Sequence, residues 1–359
     1  MASAHAVTVS SPIRAALIGF GLAGESFHAP LIAADPSFRL THVVTSDPDR
    51  AARARERFPG IEVLPRADDL WAIADALDLV VVATPNASHA ALGGTAVEAG
   101  LAVVIDKPLA TSAAEGGRLV EEARRRGCFF TVFHNRRWDG DFLTLRRLID
   151  EGRLGRVHRF ESRFDRWRPK PKAGWRESGD PEQAGGLLFD LGSHLIDQAL
   201  VLFGPVTRVY AEVDRRRPGV QTDDDTFLAL THAAGVRSHL RASVVAPPVA
   251  PRISAFGDLA AYVKYGLDPQ EAALRSTGRV TVPGWGEEPE DAWGYLAVGE
   301  DSRPVPTVPG DYPAFYRNVA RALLAGAPPV VDPYDAVRGL EIIEAALLSA
   351  RRGQTIEIT

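Results

Sequence analysis

Residues 13–24 read IRAALIGFGLAG: the apolar run Ala15–Ile18 leads straight into Gly19–Phe20–Gly21–Leu22–Ala23–Gly24. The second half is the pattern G-x-G-x-x-G, which alone is a weak signal. Behind a strand and ahead of a helix it becomes a strong one, because each glycine then has a task. Gly19 permits the tight turn, Gly21 lets the backbone approach a pyrophosphate, and Gly24 lets helix and strand pack closely. The helix start adds N–H donors and a positive dipole for the phosphates. The stretch predicts the first strand–turn–helix of a dinucleotide-binding domain.

Further along, Leu40–Thr45, Leu79–Ala83, Ala102–Ile105 and Phe129–Phe133 are apolar throughout rather than alternating. Strands buried on both faces of a parallel sheet read this way. The segments between them carry helix punctuation. Ser112–Ala113–Ala114–Glu115 is a capping-box pattern, and its helix runs to Gly127 behind Arg124, Arg125 and Arg126. Ser88 to Ala99, closed by Gly100, predicts another. The alternation predicts a doubly wound α/β domain over residues 1–133. From residue 134 to 359 the texture changes. Val157–Phe164, Val206–Val213, Thr226–His232 and Val236–Val245 mix polar and apolar residues, which predicts an α+β domain with a large open, mainly antiparallel sheet covered on one face. Helices are expected over Asp141–Glu151, over Gly192–Phe203, and from Asp332–Pro333 along the stripe Val337, Leu340, Ile343 and Leu347. Asp165–Gly186, rich in Pro, Gly and charge, reads as a long ordered loop or lid.

At 359 residues the chain suits two domains, and 45% hydrophobic with 24% charged residues is ordinary globular composition. Forty-one Lys+Arg against 46 Asp+Glu leave no excess of positive charge to follow a phosphate backbone, so no nucleic-acid partner is expected. The single Cys128 excludes an internal disulfide framework and a cysteine-built zinc site, and its setting suits an inert buried thiol. Met1–Arg14 has neither the basic nor the apolar region of a signal peptide, and the apolar runs are too short to span a bilayer. A cytoplasmic protein without a membrane partner is the expectation. No histidines stand at metal-ligand spacing and Asp223–Asp224–Asp225 reads as a polar turn, so no metal is expected.

Several residues stand where chemistry would need them. Asp47, about 20 residues beyond the glycines, lies where an acid accepts the adenosine ribose hydroxyls. Ser46 before it, and Arg50 and Arg53 after it, form a grouping that could instead hold a 2′-phosphate. Thr84–Pro85–Asn86 and Asp106–Lys107–Pro108 follow strands at the carboxyl edge, where ligands bind in open α/β sheets. A lysine there is a point charge with three donors, suited to a substrate oxygen. Asp190 and His194 are four apart, one face of a helical turn, and a histidine oriented by a carboxylate is a standard general acid/base. Alone, such a pair also fits a helix cap with a structural histidine. Trp138, Trp167 and Trp175 could wall a sugar-like ligand or simply pack.

Taken in order, the glycine turn, the Thr-Pro pair, the acid-Lys-Pro triplet and the D-x-x-x-H pair resemble the Gfo/Idh/MocA (glucose–fructose oxidoreductase/inositol dehydrogenase) family. GFGLAGESFHAPLI (19–32), HNRRWDGDFLTL (134–145), WRE (175–177), GLLFDLGSHLIDQAL (186–200) and VKYGLDPQE (263–271) look like its scyllo-inositol dehydrogenase-like branch. The resemblance runs from Gly19 to the terminal helix. It implies a Rossmann domain, a C-terminal sheet that makes a homodimer or homotetramer, and NAD or NADP with a slight lean to NAD from Asp47. Lys107, Asp190 and His194 match the family's catalytic residues. Gly19, Phe20, Gly21, Leu22, Ala23, Gly24, Ser46, Asp47, Thr84, Pro85, Asn86, His89, Asp106 and Lys107 are the implied cofactor contacts. Lys107, Asn135, Trp175, Arg176, Asp190 and His194 are the implied substrate contacts. One departure is visible: Asp106 stands where the family usually has Glu. The implied activity is hydride transfer between nicotinamide and a secondary alcohol of a polyol or sugar ring. A ligand-sensing regulator without turnover and an NAD-dependent glycosidase are the alternatives.

Overall fold

The computed structural model describes residues 11–171, 174–280 and 283–358. Most of the leader reading of Met1–Arg14, and Lys172–Ala173 of the expected lid, therefore lie outside the described residues. The chain forms two compact units.

The first unit holds the stretch up to Asn135 together with Gln270–Trp285 and Asp311–Val337. Its sheet comprises β1 (Ile13–Ile18), β2 (Phe38–Val44), β3 (Glu62–Leu64), β4 (Leu79–Val82), β5 (Ala102–Asp106) and β6 (Phe130–Phe133), in the order β3-β2-β1-β4-β5-β6, all parallel. This is the doubly wound dinucleotide-binding arrangement, whose switch point lies between β1 and β4. The unalternating apolar runs are its central strands: β4 and β5 are buried along their whole length. The short edge strand β3 carries too few apolar residues to be legible. The helix Ala113–Arg126 begins as expected, with Ser112 Oγ accepting from Glu115 N at 3.2 Å, and ends at Gly127 in the left-handed region, φ 69°.

A boundary at 133/134 stands next to the Asn135/Arg136 division, but two later stretches also belong to this unit. The physical reason is an aromatic cluster. The helix Pro313–Ala325 brings Phe315 and Tyr316 against Phe133 (4.8 and 6.1 Å between ring centroids) and Tyr316 against Phe38 (5.7 Å). Burying such side chains contributes roughly 1.5–3 kcal/mol each. Gln270 secures the other return, its Oε1 accepting from Tyr312 N (2.6 Å) and Trp285 Nε1 (3.0 Å).

The second unit is built on β7 (Val157–Asp165), β8 (Val206–Asp214), β9 (Asp225–His232), β10 (Arg237–Ser243), β11 (Ile253–Gly257), β12 (Ala261–Lys264), β13 (Gly294–Val298), β14 (Asp301–Val305) and β15 (Ile356–Glu357). Their order is β14-β13-β12-β11-β7-β10-β9-β8-β15. Only β7 and β10 pair in parallel; the other neighbours are antiparallel. β9 alternates strictly, with Thr226, Leu228, Leu230 and His232 buried, and the helix Ser193–Phe203 packs on that face, placing Phe203 5.3 Å from Phe160. The stretch Pro181–Phe203 is long and apolar enough to cross a membrane, yet 72% of its most apolar window is buried in the protein, as a core helix is.

Candidate active site

In the first unit the carboxyl ends of β1, β4 and β5 carry the glycine turn, Thr84–Pro85–Asn86 and Asp106–Lys107. Gly19 has φ 98°, and a Cβ there would lie 2.6 Å from Ala83 O, so only glycine fits. A Cβ on Gly24 would collide with Gly19 O. Gly21 differs: the nearest atom to its Cβ position is Arg50 Nη1 at 3.8 Å. Two of the glycines are thus demanded by the fold itself. The third keeps open a cradle that a side chain would fill, which is what a nicotinamide dinucleotide's pyrophosphate requires. The residues fit that cofactor.

Asp47 caps the helix Pro48–Arg57: its Oδ1 accepts from Asp49 N and Arg50 N, each at 3.0 Å. Its Oδ2 lies 3.4 Å from Arg50 Nε. The Arg50 backbone hydrogen bond is the main force holding its carboxyl below the usual range. Arg53 is engaged elsewhere, bidentate on Glu25 at 3.0 and 3.1 Å.

His89, expected among the cofactor contacts, is fully buried. Its Nδ1 lies 2.7 Å from Pro108 O and its Nε2 2.9 Å from Thr84 O. Both ring nitrogens face backbone carbonyls, and burial pulls the imidazole below its ordinary range. His89 thereby ties the chain beyond β4 to the chain beyond β5. Asp106 also points inward. It is 8% exposed and faces His28 Nε2 at 3.6 Å, while His28 Nδ1 meets the Tyr316 hydroxyl at 2.7 Å. Burial works to raise the Asp106 carboxyl, but His28, Lys107 and His89 outweigh it and hold the group below its ordinary value. Sequence reasoning missed His28 and Tyr316, which are 288 positions apart and carry no local signal. Lys107 itself is half-buried, and Asn86 and Asn135 are buried at 5% each.

In the second unit Asp190 and His194 share one helical run, Leu188–Gly192 with wide π-type turns continuing into Ser193–Phe203. Such widened turns recur at functional sites. His194 is 6% exposed. The Asp190 carboxylate lies 3.7 Å from Arg176 Nε, and the Arg176 guanidinium stacks over Trp175 at 4.4 Å. Trp175, Arg176 and Asp190 thus come together on this unit, whereas Trp167 stands 60% exposed. The next turn of the helix is anchored. Asp197 takes a bidentate pair from Arg137 at 2.9 and 2.6 Å, and Gln198 donates to Arg136 O at 2.8 Å and accepts from Arg252 Nη2 at 3.0 Å. Among the described residues no three His, Cys, Asp or Glu side chains cluster as a metal site would need. Burial pushes the Cys128 thiol up.

Residues 13–134 match the pattern of the oxidoreductase family with an NAD-binding Rossmann fold, and residues 142–263 that of the GFO/IDH/MocA C-terminal domain. The chain is similar to the uncharacterized oxidoreductase YdgJ of Escherichia coli K12, 38% identical over 97% of this chain and 99% of that one. It is also similar to scyllo-inositol 2-dehydrogenase (NADP(+)) IolW of Bacillus subtilis 168, 34% identical over 96% and 95%. Among solved structures, a Bacillus subtilis protein described as an oxidoreductase, yvaA, superposes with a TM-score of 0.92 at 34% identity, over 97% of this chain and 99% of that one. With both halves matched and full-length relatives above 30% identity, this chain is a member of the Gfo/Idh/MocA family of nicotinamide-dependent oxidoreductases.

Proposed function

We propose that the protein is a dehydrogenase of a secondary alcohol on a polyhydroxylated ring, an inositol or a sugar, with scyllo-inositol the first candidate. The observation that carries this reading is the grouping of Trp175, Arg176 and Asp190 beside the His194 helix: a guanidinium 4.4 Å from the centre of a flat apolar ring and 3.7 Å from a carboxylate. A polyol ring needs that mixture, because each buried hydroxyl left unpaired costs about 1–3 kcal/mol. The named activity of IolW supports the same substrate class.

In the oxidation direction His194 takes the proton of the reacting hydroxyl. Asp190 orients the imidazole and stabilises its charged form. Lys107 donates to the same oxygen and stabilises its alkoxide character. Gly19–Gly24, Asp47 and Thr84–Asn86 would hold the dinucleotide, whose nicotinamide would supply or accept the hydride. A panel of inositols, pyranoses, ethanol and 2-hydroxy acids, followed at the absorbance of reduced nicotinamide, tests the proposal. Activity is expected with an inositol or pyranose. Simple alcohols leave the site's polar groups unpaired and should be rejected strongly. Preference for ethanol or a hydroxy acid overturns the substrate class. We also propose a homodimer or homotetramer through the open face of the nine-stranded sheet, which mass measurement in solution checks.

For the cofactor we propose NAD. The Asp47 carboxylate would accept ribose hydroxyls and repel a 2′-phosphate, Arg53 is already paired with Glu25, and Arg50 lies against Asp47 itself. Wild type is expected to bind NAD more tightly than NADP. Asp47→Ala should move the ratio toward NADP by about tenfold, the equivalent of 1.4 kcal/mol. Tighter NADP binding by the wild type overturns this choice.

A further inference from the structure

Asp223–Asp224–Asp225, which reads as a polar turn in the sequence, has a different part in the fold. Asp224 is 1% exposed and accepts from Arg216 N (2.6 Å), Arg217 N (3.0 Å) and Arg217 Nε (2.9 Å). Arg217, itself 7% exposed, reaches out to Arg168 O at 3.3 Å and Glu177 Oε1 at 3.4 Å. From the same connection, Gln221 Oε1 accepts from Gly179 N at 3.0 Å. Asp223 turns the other way: its Oδ2 accepts from Leu188 N at 2.7 Å and its carbonyl from Leu187 N at 3.1 Å. Leu188 opens the helical run that carries Asp190 and His194, and the first N–H groups of a helix have no partner within it. Gly186, at φ 93°, makes room: a Cβ there would collide with Asp223 Oδ1. One short connection, residues 215–224, therefore fastens the Trp175–Arg176–Glu177 loop on one side and the start of the Asp190–His194 helix on the other.

We propose that Asp223 is a positioning residue of this enzyme, its carboxylate on the Leu188 N–H setting the first turn of the helix that presents Asp190 and His194. The proposal rests on the acid/base reading of those two residues.

A carboxylate is a costly choice for this place. Burial, helped by the neighbouring Asp224, raises the Asp223 carboxyl from its ordinary 3.8 to about 6. Asp224 is the charged neighbour that acts on it, while the Leu188 and Leu187 N–H groups pull the other way. Because its folded value is the higher one, the native state holds this proton more tightly. Asp223 therefore adds stability as pH falls from about 6 toward 3.8, and subtracts from it at neutral pH. An asparagine, which keeps an acceptor but carries no charge, escapes the subtraction.

The test compares wild type, Asp223→Asn, Asp223→Ala and His194→Ala as full-length protein with NAD bound. It follows amide hydrogen exchange over residues 186–194 from pH 5 to 8, melting temperature, and turnover of scyllo-inositol. Asp223→Ala is expected to speed exchange at Leu188 and its neighbours and to lower kcat about 5–30-fold, with NAD affinity unchanged. Asp223→Asn should restore slow exchange and most of kcat, melt no lower than wild type at pH 7.5, and lack the gain in protection, beyond the intrinsic pH dependence of exchange, that wild type shows below about pH 6 as the carboxylate takes up its proton. Unchanged exchange in Asp223→Ala overturns the capping role. Changed exchange with unchanged kcat, while His194→Ala is inactive, overturns the positioning role. Full turnover in His194→Ala instead overturns the acid/base reading.

Discussion

His194→Ala is expected to lower kcat by about 10²–10⁴-fold, the usual worth of a positioned general acid/base. The imidazole is 6% exposed on a helix pinned one turn later by the bidentate Arg137–Asp197 pair and by Gln198, so its loss should leave the fold in place. Lys107→Ala should be at least as harmful, since it removes the charge that stabilises developing alkoxide. Neither change touches the glycine cradle, so NAD affinity is expected to stay within about threefold of wild type, well under the 1.4 kcal/mol that tenfold represents. Steady-state kinetics beside a cofactor-binding titration separate the two effects. Wild-type turnover in both variants would end the proposed chemistry.

Gly24→Ala and Gly21→Ala should fail in opposite ways. At Gly24 the added methyl runs into Gly19 O, a backbone atom that cannot swing aside. A cost of about 1–3 kcal/mol in stability follows, with loss of the turn and of cofactor binding. At Gly21 the methyl meets nothing nearer than Arg50 Nη1 at 3.8 Å, an ordinary contact. The cofactor-free protein should then hold its stability to within about 0.5 kcal/mol. The methyl nevertheless stands where a pyrophosphate must come, and NAD affinity should fall by at least about tenfold, or 1.4 kcal/mol. Thermal melts without cofactor and NAD titrations of each variant check the pair. Equal destabilisation by the two changes would show that Gly21 serves the fold and not a ligand.

The glycine turn, five of the six parallel strands around it, and the helix caps at Ser112 and Asp332 were legible because each is set by local chemistry. Unalternating apolar runs, a Ser or Asp ahead of a helix, and a glycine where φ must be positive all act within a few residues. The longer strands of the second unit were legible for the same reason. β3 and the strands from β11 onward were not, since they are short or end in polar residues whose pairing depends on neighbours far along the chain. The candidate site divides likewise. Residue type and motif order were enough to single out Lys107, Asp190 and His194. The structural part of His89 was not legible, because spacing cannot reveal that its two nitrogens face the carbonyls of Pro108 and Thr84, beyond two different strand ends.

By itself, then, the sequence determined a doubly wound dinucleotide-binding half, an open-sheet half, and the residue types able to move a proton and steady an oxygen. Only the tertiary structure decided that Asp311–Val337 returns to the first unit, that Asp106 faces His28 and Tyr316, and that Asp223 caps the Asp190–His194 helix. The physical reason is one of range. Caps, turns and periodicity are written in neighbouring residues, whereas a buried acid finds its partner wherever packing brings one within hydrogen-bond reach, 35 positions away for Asp223 and Leu188.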